Sequence, residues 1–297
     1  MTTPVATHKS VLTQEVLQYL AIKPGGVYLD VTFGVGGHTS ALLEHDPTCT
    51  VIALDWDASA LETYGVPLQE KYGVNRLTLL WGNFALLYKI LKKAGIQQVD
   101  GILADFGTSQ VQITQRAGFS IYRDTPLDMR MSMAHHRTTA SEIVNLASEK
   151  DLREILWEFG EERFAKQIAR IIVQERAKRQ ITTTHELAKL IERVVPRGRG
   201  VHPATKTFQA LRIYVNQELE NITAFLAEAV RATKPGGRIV CISFHSLEDR
   251  LVKQYFADQA RLGVVMVVTP KVVVATDDEI AQNSSSRSAR LRAAQRA

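Results

Sequence analysis

The first 105 residues alternate short apolar runs with amphipathic stretches. The apolar runs predict strands at 27–30, 50–54, 77–81 and 99–105, and the stretches between them carry apolar side chains at helical spacing. Asp30, Asp55 and Asp105 stand where three of these strands stop. This alternation predicts an α/β fold with a doubly wound parallel sheet, which binds its ligand across the carboxyl ends of the strands.

The pattern changes after residue 113, where strand-like alternation stops for about 100 residues. Helical periodicity predicts helices there at 140–147, 150–159, 161–178 and 184–195. Their N-caps are expected at Ser141, Ser148 and Thr184. We therefore predict a discontinuous sheet domain, residues 1–113 and 215–297, interrupted by an all-helical insert, residues 114–214.

The sheet pattern returns in the last third of the chain. A long helix is predicted over 208–233, and an apolar strand that ends at Ser243 follows it. Two further apolar runs, 264–269 and 272–275, suit a closing hairpin. The tail from Asn283 onward is basic and rich in serine, so we expect it to be loosely ordered until a partner binds it.

The composition, 45% apolar and 23% charged among 297 residues, is that of a soluble globular protein. No apolar run approaches the ~20 residues of a membrane span and the N-terminus lacks a signal-peptide core, so a cytoplasmic protein is expected. Cys49 and Cys241 each adjoin an apolar strand and are predicted to be buried thiols. The eight histidines lack the spacing of metal ligands, and no metal site is predicted.

Positive charge is concentrated in the predicted insert. Residues 114–214 carry 18 Lys and Arg against 12 Asp and Glu, whereas residues 1–113 carry 7 against 10. The segment 163–212 alone holds 12 basic and 3 acidic residues. A polyanionic partner would meet this segment first, although a solvated helical surface explains the same composition.

Residues 28–40, YLDVTFGVGGHTS, form the most informative motif. A buried strand ends at Asp30, and a turn with glycines at 34, 36 and 37 leads into a helix whose first N–H groups are free to bind a ligand. The next strand stops at Asp55, where a carboxylate can bind a ribose diol. The glycines alone fit a tight packing turn equally well.

The spacing of this motif separates two classes of ligand. Asp30-x3-Gly34-x-Gly36 is similar to the Asp-x-Gly-x-Gly-x-Gly motif of S-adenosylmethionine (SAM) methyltransferases, with Thr32 in place of the first glycine. The Lys-Ser/Thr pair of a P-loop is missing from it. A dinucleotide site stays the alternative on this stretch alone.

Longer stretches resemble one family, the bacterial 16S ribosomal RNA (cytosine-N4) methyltransferases called MraW or RsmH. They include 126–131 (PLDMRM), 202–213 (HPATKTFQALRI), 235–250 (PGGRIVCISFHSLEDR) and 287–292 (RSARLR). The resemblance implies a Rossmann-like class I SAM-dependent methyltransferase sheet with an inserted helical domain for substrate recognition.

The resemblance also implies which residues bind SAM. Carried over position by position, the contacts are Gly36, Gly37, His38, Asp55, Phe84, Asp105 and Gln112. The chain departs from the family between the last two, with DFGTSQVQ where the family usually has DLGVSSPQ. Without that proline, the backbone before Gln112 is less restricted than in the family. The tail has Asn283-Ser-Ser in place of the family's Asn-Pro-Arg, which removes one positive charge.

The implied partner is 16S ribosomal RNA or the small ribosomal subunit. Candidate RNA contacts are the basic residues Arg197, Arg199, Lys206, Arg212 and Arg250. Asp128 and Arg130 are expected to pair with each other rather than to contact RNA. The oligomeric state is left open, with a homodimer among the alternatives.

The chemistry of cytosine N4 indicates what the active site must supply. The lone pair of this amine is delocalised into the ring, so the protein must accept its hydrogen bonds while aligning it with the SAM methyl group. The candidate catalytic residues are Asp105, Ser109, Ser243 and His245. Asp105 fits cofactor binding equally well, and His245 fits a role in holding the loop 246–250.

Two other classes of function stay open from the sequence. The chain could be a SAM-dependent enzyme that methylates a small molecule, in which case the basic insert is incidental. It could also be an RNA-binding protein that kept the fold and lost catalysis.

Overall fold

The computed structural model describes residues 9–107, 116–133, 136–198 and 200–297. The chain forms two compact units: unit 1 is Met1–Gly107 with Leu219–Ala297, and unit 2 is Thr108–Glu218. The boundaries predicted from the sequence lie six residues later at the first junction and four residues earlier at the second.

Among the described residues, eight strands form one sheet in unit 1. They are β1 (Val27–Asp30), β2 (Thr50–Asp55), β3 (Leu77–Trp81), β4 (Val99–Asp105), β5 (Thr233–Ser243), β6 (Val265–Val267), β7 (Val273–Val274) and β8 (Arg290–Arg296). Their order is β3-β2-β1-β4-β5-β8-β6, and β7 also pairs with β8. The five strands from β3 to β5 are parallel, which confirms the predicted Rossmann-like α/β sheet.

The α-helices of the described residues belong to both units. They are α1 (Thr13–Leu20), α2 (Gly37–His45), α3 (Ala58–Ala60), α4 (Val66–Tyr72), α5 (Leu87–Lys93), α6 (Ala140–Leu146), α7 (Glu149–Gly160), α8 (Ala165–Arg176), α9 (Thr184–Glu192), α10 (Thr205–Asn216), α11 (Glu218–Ala232), α12 (Ser246–Arg261) and α13 (Asp277–Gln282). A π-helical turn, Leu61–Gly65, joins α3 to α4, and 3-10 turns lie at Phe84–Leu86 and Ser284–Ser288. No helix among these is long and apolar enough to cross a membrane.

Each face of the sheet in unit 1 has its own apolar core. On one face Leu29 and Ile102 pack with side chains of α5, α11 and α12. On the other face Tyr28 and Leu103 pack with side chains of α1 and α2. Because successive residues of a strand face opposite sides, a sheet covered on both sides needs strands that are apolar throughout. The uninterrupted apolar runs in the sequence are therefore a direct consequence of this architecture.

The C-terminal tail is an inner strand of the sheet, so the prediction of a loosely ordered tail was wrong. β8 runs antiparallel to β5 on one side and to β6 on the other. Leu291, Ala293 and Ala294 are fully buried in it. Arg292 is charged but lies in an ion pair, with its Nε 2.6 Å from Oδ1 of Asp249. The burial of these three side chains in the sheet outweighs the polar composition on which the prediction rested.

The prediction of a closing hairpin was also wrong, because the C-terminal strand β8 takes both of its strands as partners. The two apolar runs form β6 and β7, but both pair with β8 rather than with each other.

Unit 2 is helical, with α6 to α10 around a separate apolar core. Ser148 caps α7 as predicted, whereas the caps of α6 and α9 are Thr139 and Thr183 rather than Ser141 and Thr184. Both threonines form capping boxes with a glutamate three residues later, which satisfies two backbone N–H groups.

The single helix predicted over 208–233 is two helices, α10 and α11. Gln217 between them has φ 51°, in the left-handed region. A single residue in this conformation is enough to end a helix. The sequence gives no warning of the break, because neither glycine nor proline lies there.

Candidate active site at the carboxyl ends of the strands

Three carboxylates lie on one face of the sheet, where β1, β2 and β4 end. Asp30 is in register with Ala53 of β2 and Leu103 of β4. Asp55 and Asp105 each follow two positions later, so they share that face. The strand-end aspartates of the sequence are therefore brought together in unit 1.

Asp30 is buried and supports the turn that follows it. Its carboxylate accepts hydrogen bonds from the Oγ1 of Thr39, at 2.8 Å, and from the backbone N–H of Thr32, at 3.1 Å. Burial raises the pKa of Asp30, against the lowering effect of His38 and Thr39. Asp30 thus fixes the turn to the start of α2.

Thr32 explains one departure from the SAM motif. Its Oγ1 accepts a hydrogen bond from the backbone N–H of Asp105 at 2.7 Å. A glycine at position 32 could not make this bond. Sequence reasoning missed the role of Thr32, and the polar β-branched residue in place of glycine was the available signal.

The glycine turn is shaped by the protein's own packing. Gly34 and Gly36 have φ of 56° and 81°, a region that favours glycine. A Cβ on Gly36 would lie 2.8 Å from the ring of Phe33, and one on Gly37 would collide with Oγ of Ser10. The tight-turn explanation therefore holds for these glycines whether or not they also bind a ligand.

Asp55 closes the turn from the neighbouring strand. Its Oδ2 accepts from the N–H of Gly34 and its Oδ1 accepts from the N–H of Asp57, both at 2.8 Å. Burial raises the pKa of Asp55 from 3.8 to about 6, even though both hydrogen bonds lower it. A carboxylate oxygen can accept more than one hydrogen bond, so this group can still bind hydroxyls.

His38 is the second residue of α2 and is only 5% exposed. Its Nε2 lies 3.6 Å from Oδ2 of Asp105. Among the described residues, neither ring nitrogen of His38 nor Oδ1 of Asp105 has a hydrogen-bond partner. Buried polar atoms without partners are rare in folded proteins, and either water or a ligand can satisfy them.

Phe84 belongs to an aromatic cluster in unit 1. Its ring centroid lies 5.5 Å from that of Phe225, 6.0 Å from Phe106 and 6.2 Å from Trp56. Trp56 directly follows Asp55, so an aromatic ring and a carboxylate adjoin at the end of β2. Sequence reasoning named Phe84 and missed Trp56, although its position after a strand-end aspartate was a signal.

Ser243 and His245 follow at the end of β5. Ser243 pairs with the chain one residue beyond Asp105, so its side chain starts on the opposite face of the sheet. The Oγ of Ser243 is buried and has no partner among the described residues. His245 caps α12: its Nδ1 accepts from the N–H of Glu248, and its Nε2 lies 3.2 Å from Oε1 of Glu248. Its observed contacts are those of a residue that holds the 246–250 segment.

The candidate RNA contacts have internal partners in the structure. Arg212 makes two 2.9 Å hydrogen bonds to the buried carboxylate of Glu218. Arg197 pairs with Glu192 at 3.1 Å, and Lys206 donates to the carbonyl of Glu161. Arg250 is exposed. Ser109, Gln112 and Arg199 lie outside the described residues.

Among the exposed basic side chains of unit 2 that have no ionic partner in the described part of the chain, three lie close together: Arg163, Lys166 and Arg170. We call them the basic row. Lys166 and Arg170 are one turn apart on α8, and Arg163 precedes the helix. The two other exposed residues of this helix face are Gln167 and Gln174, so it carries no carboxylate.

Two further predictions concern pairs of residues. Asp128 and Arg130 form the expected ion pair, with Nε 2.7 Å from Oδ1. Cys49 and Cys241 are free, fully buried thiols, as predicted. Burial raises the pKa of both thiols. Neither is therefore poised to act as a thiolate nucleophile.

Residues 5–297 match the model of the MraW methylase family. Relatives that carry the name ribosomal RNA small subunit methyltransferase H are similar to this chain over nearly their full length. The one from Bradyrhizobium diazoefficiens is 44% identical over 98% of this chain and 92% of its own. Those from Geotalea uraniireducens and a Cyanothece species are 45% and 46% identical, over 97% and 99% of this chain and 98% and 96% of their own. The similarity thus covers both units.

Proposed function

Because the chain belongs to the MraW methylase family, it is a methyltransferase, and we propose that it methylates small-subunit ribosomal RNA with SAM as the methyl donor. We further propose that the methylated atom is N4 of a cytidine in the decoding region of 16S ribosomal RNA. The observation that carries the proposal is the full-length family match together with the three carboxylates where β1, β2 and β4 end, of which Oδ1 of Asp105 has no partner among the described residues.

The residues of unit 1 fit SAM. The N–H groups at the start of α2, those of Gly37 and His38, can bind the carboxylate of its amino-acid part, and Asp105 lies beside the His38 ring. Asp55 can accept hydrogen bonds from ribose hydroxyls, and Phe84 and Trp56 offer aromatic surface for the adenine. Gly36, Gly37 and, by resemblance, Gln112 complete the proposed contacts. SAM supplies a methyl group made electrophilic by a sulfonium.

The proposed role of Asp105 is to accept a hydrogen bond from the N4 amine. Such a bond draws electron density toward the nitrogen and orients its lone pair, and Asp105 can take up the proton that the amine loses when it is methylated. Asp105 is favoured over Ser243 because the Ser243 side chain starts on the other face of the sheet. His245 is occupied in capping α12.

The cysteines support N4 over C5 as the methylated position. Methylation at C5 normally requires a cysteine that adds covalently to C6 of the ring. Cys241 lies inside β5 and Cys49 precedes β2, and both are fully buried. A cytosine must also leave its stack to reach a methyl donor, at a cost of a few kcal/mol when it is stacked, which favours an unpaired site in the RNA.

Unit 2 supports RNA as the substrate. The basic row on and before α8 presents three positive charges that have no ionic partner within the described part of the chain, on a helix face free of carboxylates. Phosphate contacts of this kind give affinity and position but carry no sequence information. Arg197, Arg199, Lys206 and Arg250 remain proposed contacts, whereas the paired Arg212 is better explained as a residue that holds Glu218.

A transfer assay with methyl-labelled SAM tests the proposed function. We expect label to enter small ribosomal subunits or 16S ribosomal RNA that lack the modification, and not small amines. Label in small amines alone would indicate a small-molecule enzyme. SAM binding without transfer to any acceptor, or no SAM binding at all, would contradict the proposal.

A further inference from the structure

The imidazole of His38 is buried beside Asp105 and makes no conventional hydrogen bond to any of the described residues. Its 3.6 Å separation from Oδ2 of Asp105 is longer than the 2.7–2.9 Å or so of a bond between charged partners. Hydrogen bonds between catalytic groups are often long in a protein without its substrate and shorten on binding. The other oxygen of Asp105, Oδ1, is buried and unpartnered among the described residues.

The charges around His38 favour its protonated form. Three carboxylates act on the ring: Asp105 from β4, Asp30 from β1 and Glu279 from α13. Burial alone would lower the pKa of His38, but these carboxylates together raise it above 6.5. An imidazolium donates from both nitrogens and accepts at neither, so its Nε2 must point a proton toward Asp105.

We infer that His38 is a positioning residue for methyl transfer: its Nε2 donates to Oδ2 of Asp105 and leaves Oδ1 to accept a hydrogen bond from the amine that is methylated. The inference rests on the proposed function for the identity of that amine. The resemblance assigned His38 to SAM binding, and the geometry adds a task for its side chain.

The position of His38 in the fold suits this task. The residue is held in the first turn of α2, which follows the turn fixed by Asp30 and Asp55. Asp105 is held to the same turn, because its backbone N–H donates to Oγ1 of Thr32. Both partners are thus anchored to the same turn, and their relative placement does not depend on a flexible loop.

A nuclear magnetic resonance titration tests the pairing without any substrate. The imidazole of His38, assigned with the variant His38→Gln, is expected to titrate with a pKa above 6.5, and Asp105→Asn is expected to lower that pKa. A His38 pKa at or below 6.5, or one unchanged by Asp105→Asn, would overturn the inference. This result does not depend on the identity of the methylated RNA, so it is separate from a failure of the proposed function.

Kinetics of His38→Gln test the consequence for catalysis. A glutamine amide donates a neutral hydrogen bond, which is about half as strong as a charge-assisted one. We expect kcat to fall on the order of 10- to 100-fold, while the dissociation constant for SAM changes less than threefold or so. Wild-type kcat should decline as the pH rises through the pKa of His38, and the variant should lack this decline.

A matched control lies on the same helix. His45 is the exposed last residue of α2, and His45→Gln should leave both kcat and SAM affinity unchanged. If His38→Gln weakens SAM binding and spares kcat, then His38 is a cofactor contact alone and the inference is wrong.

Discussion

Replacing Asp55 should weaken SAM binding by the free energy of the hydrogen bonds that its carboxylate makes to the ribose. In Asp55→Ala the ribose hydroxyls lose a charged acceptor, which is worth about 1.5–3 kcal/mol, or an affinity loss of about 10- to 150-fold. Calorimetric titration of the purified protein with SAM measures this directly. The same substitution leaves the N–H groups of Gly34 and Asp57 without an acceptor, so folding must be checked separately.

The isosteric variant Asp55→Asn separates binding from folding. The pKa of Asp55 is raised from 3.8 to about 6, so its buried charge costs about 3 kcal/mol of stability at pH 7. The amide removes this cost. Its NH₂ group cannot accept a hydrogen bond, however, so either Gly34 or Asp57 keeps an unsatisfied N–H, which costs about 1–3 kcal/mol. The two effects nearly cancel, so the melting temperature should change little while SAM affinity still falls.

The raised pKa also predicts how SAM affinity depends on pH. Hydroxyl donors favour the ionised carboxylate, so wild-type affinity should decline about tenfold per unit as the pH falls from 6 toward 4.5. Folding stability behaves oppositely for this group, because its raised folded-state pKa contributes stability below 3.8 that is lost as the pH rises through about 6.

Two controls for this prediction lie at the two ends of β2. Asp55→Asn should lack the pH dependence of SAM affinity. Asp46→Asn, before the opposite end of β2, should bind SAM as the wild type does. Unchanged affinity in Asp55→Ala, or an equal loss in Asp46→Asn, would refute the placement of Asp55 in the cofactor site.

Three further predictions concern the RNA surface, the thiols and the C-terminal strand. Changing the basic row to glutamine should reduce the slope of log affinity for RNA against log salt by about 2. The same change at Lys89, Lys92 and Lys93 of unit 1 should leave this slope as in the wild type. If the basic-row variant also keeps the wild-type slope, the row is only a solvated surface. Replacing both cysteines with serine should keep methyl transfer within a few-fold per folded molecule, and a covalent RNA adduct on either thiol would contradict this. Arg292→Ala should lower the free energy of unfolding in urea by about 3 kcal/mol, because it leaves the partly buried Asp249 unpaired, and adding Asp249→Ala should recover part of that loss.

The strands and the aspartates at their ends could be predicted because the residues that define them are adjacent in the sequence. A sheet covered on both faces demands uninterrupted apolar runs, and those runs stop where the backbone reaches the ligand edge. Asp30, Asp55 and Asp105 were visible as the polar residues at these stops.

The contacts between strands could not be predicted in the same way. The bond from Asp105 to Thr32 and the approach of His38 to Asp105 depend on how β1 lies against β4. The role of the tail as β8 depends on partners about 50 residues earlier in the chain, and its arginines suggested solvent rather than a sheet. The break at Gln217 requires a backbone in the left-handed region, which glutamine rarely adopts, so the residue type gave no sign of it.

Nucleoside analysis of the methylated product decides whether the protein methylates N4 of a cytidine in 16S ribosomal RNA. Small ribosomal subunits that lack the modification would be incubated with the protein and methyl-labelled SAM, and their 16S ribosomal RNA digested for chromatography and mass spectrometry. We expect labelled N4-methylcytidine that maps to the decoding region, and loss of most label with Asp105→Asn. Labelled 5-methylcytidine, or label in any nucleoside other than N4-methylcytidine, would contradict the proposed function.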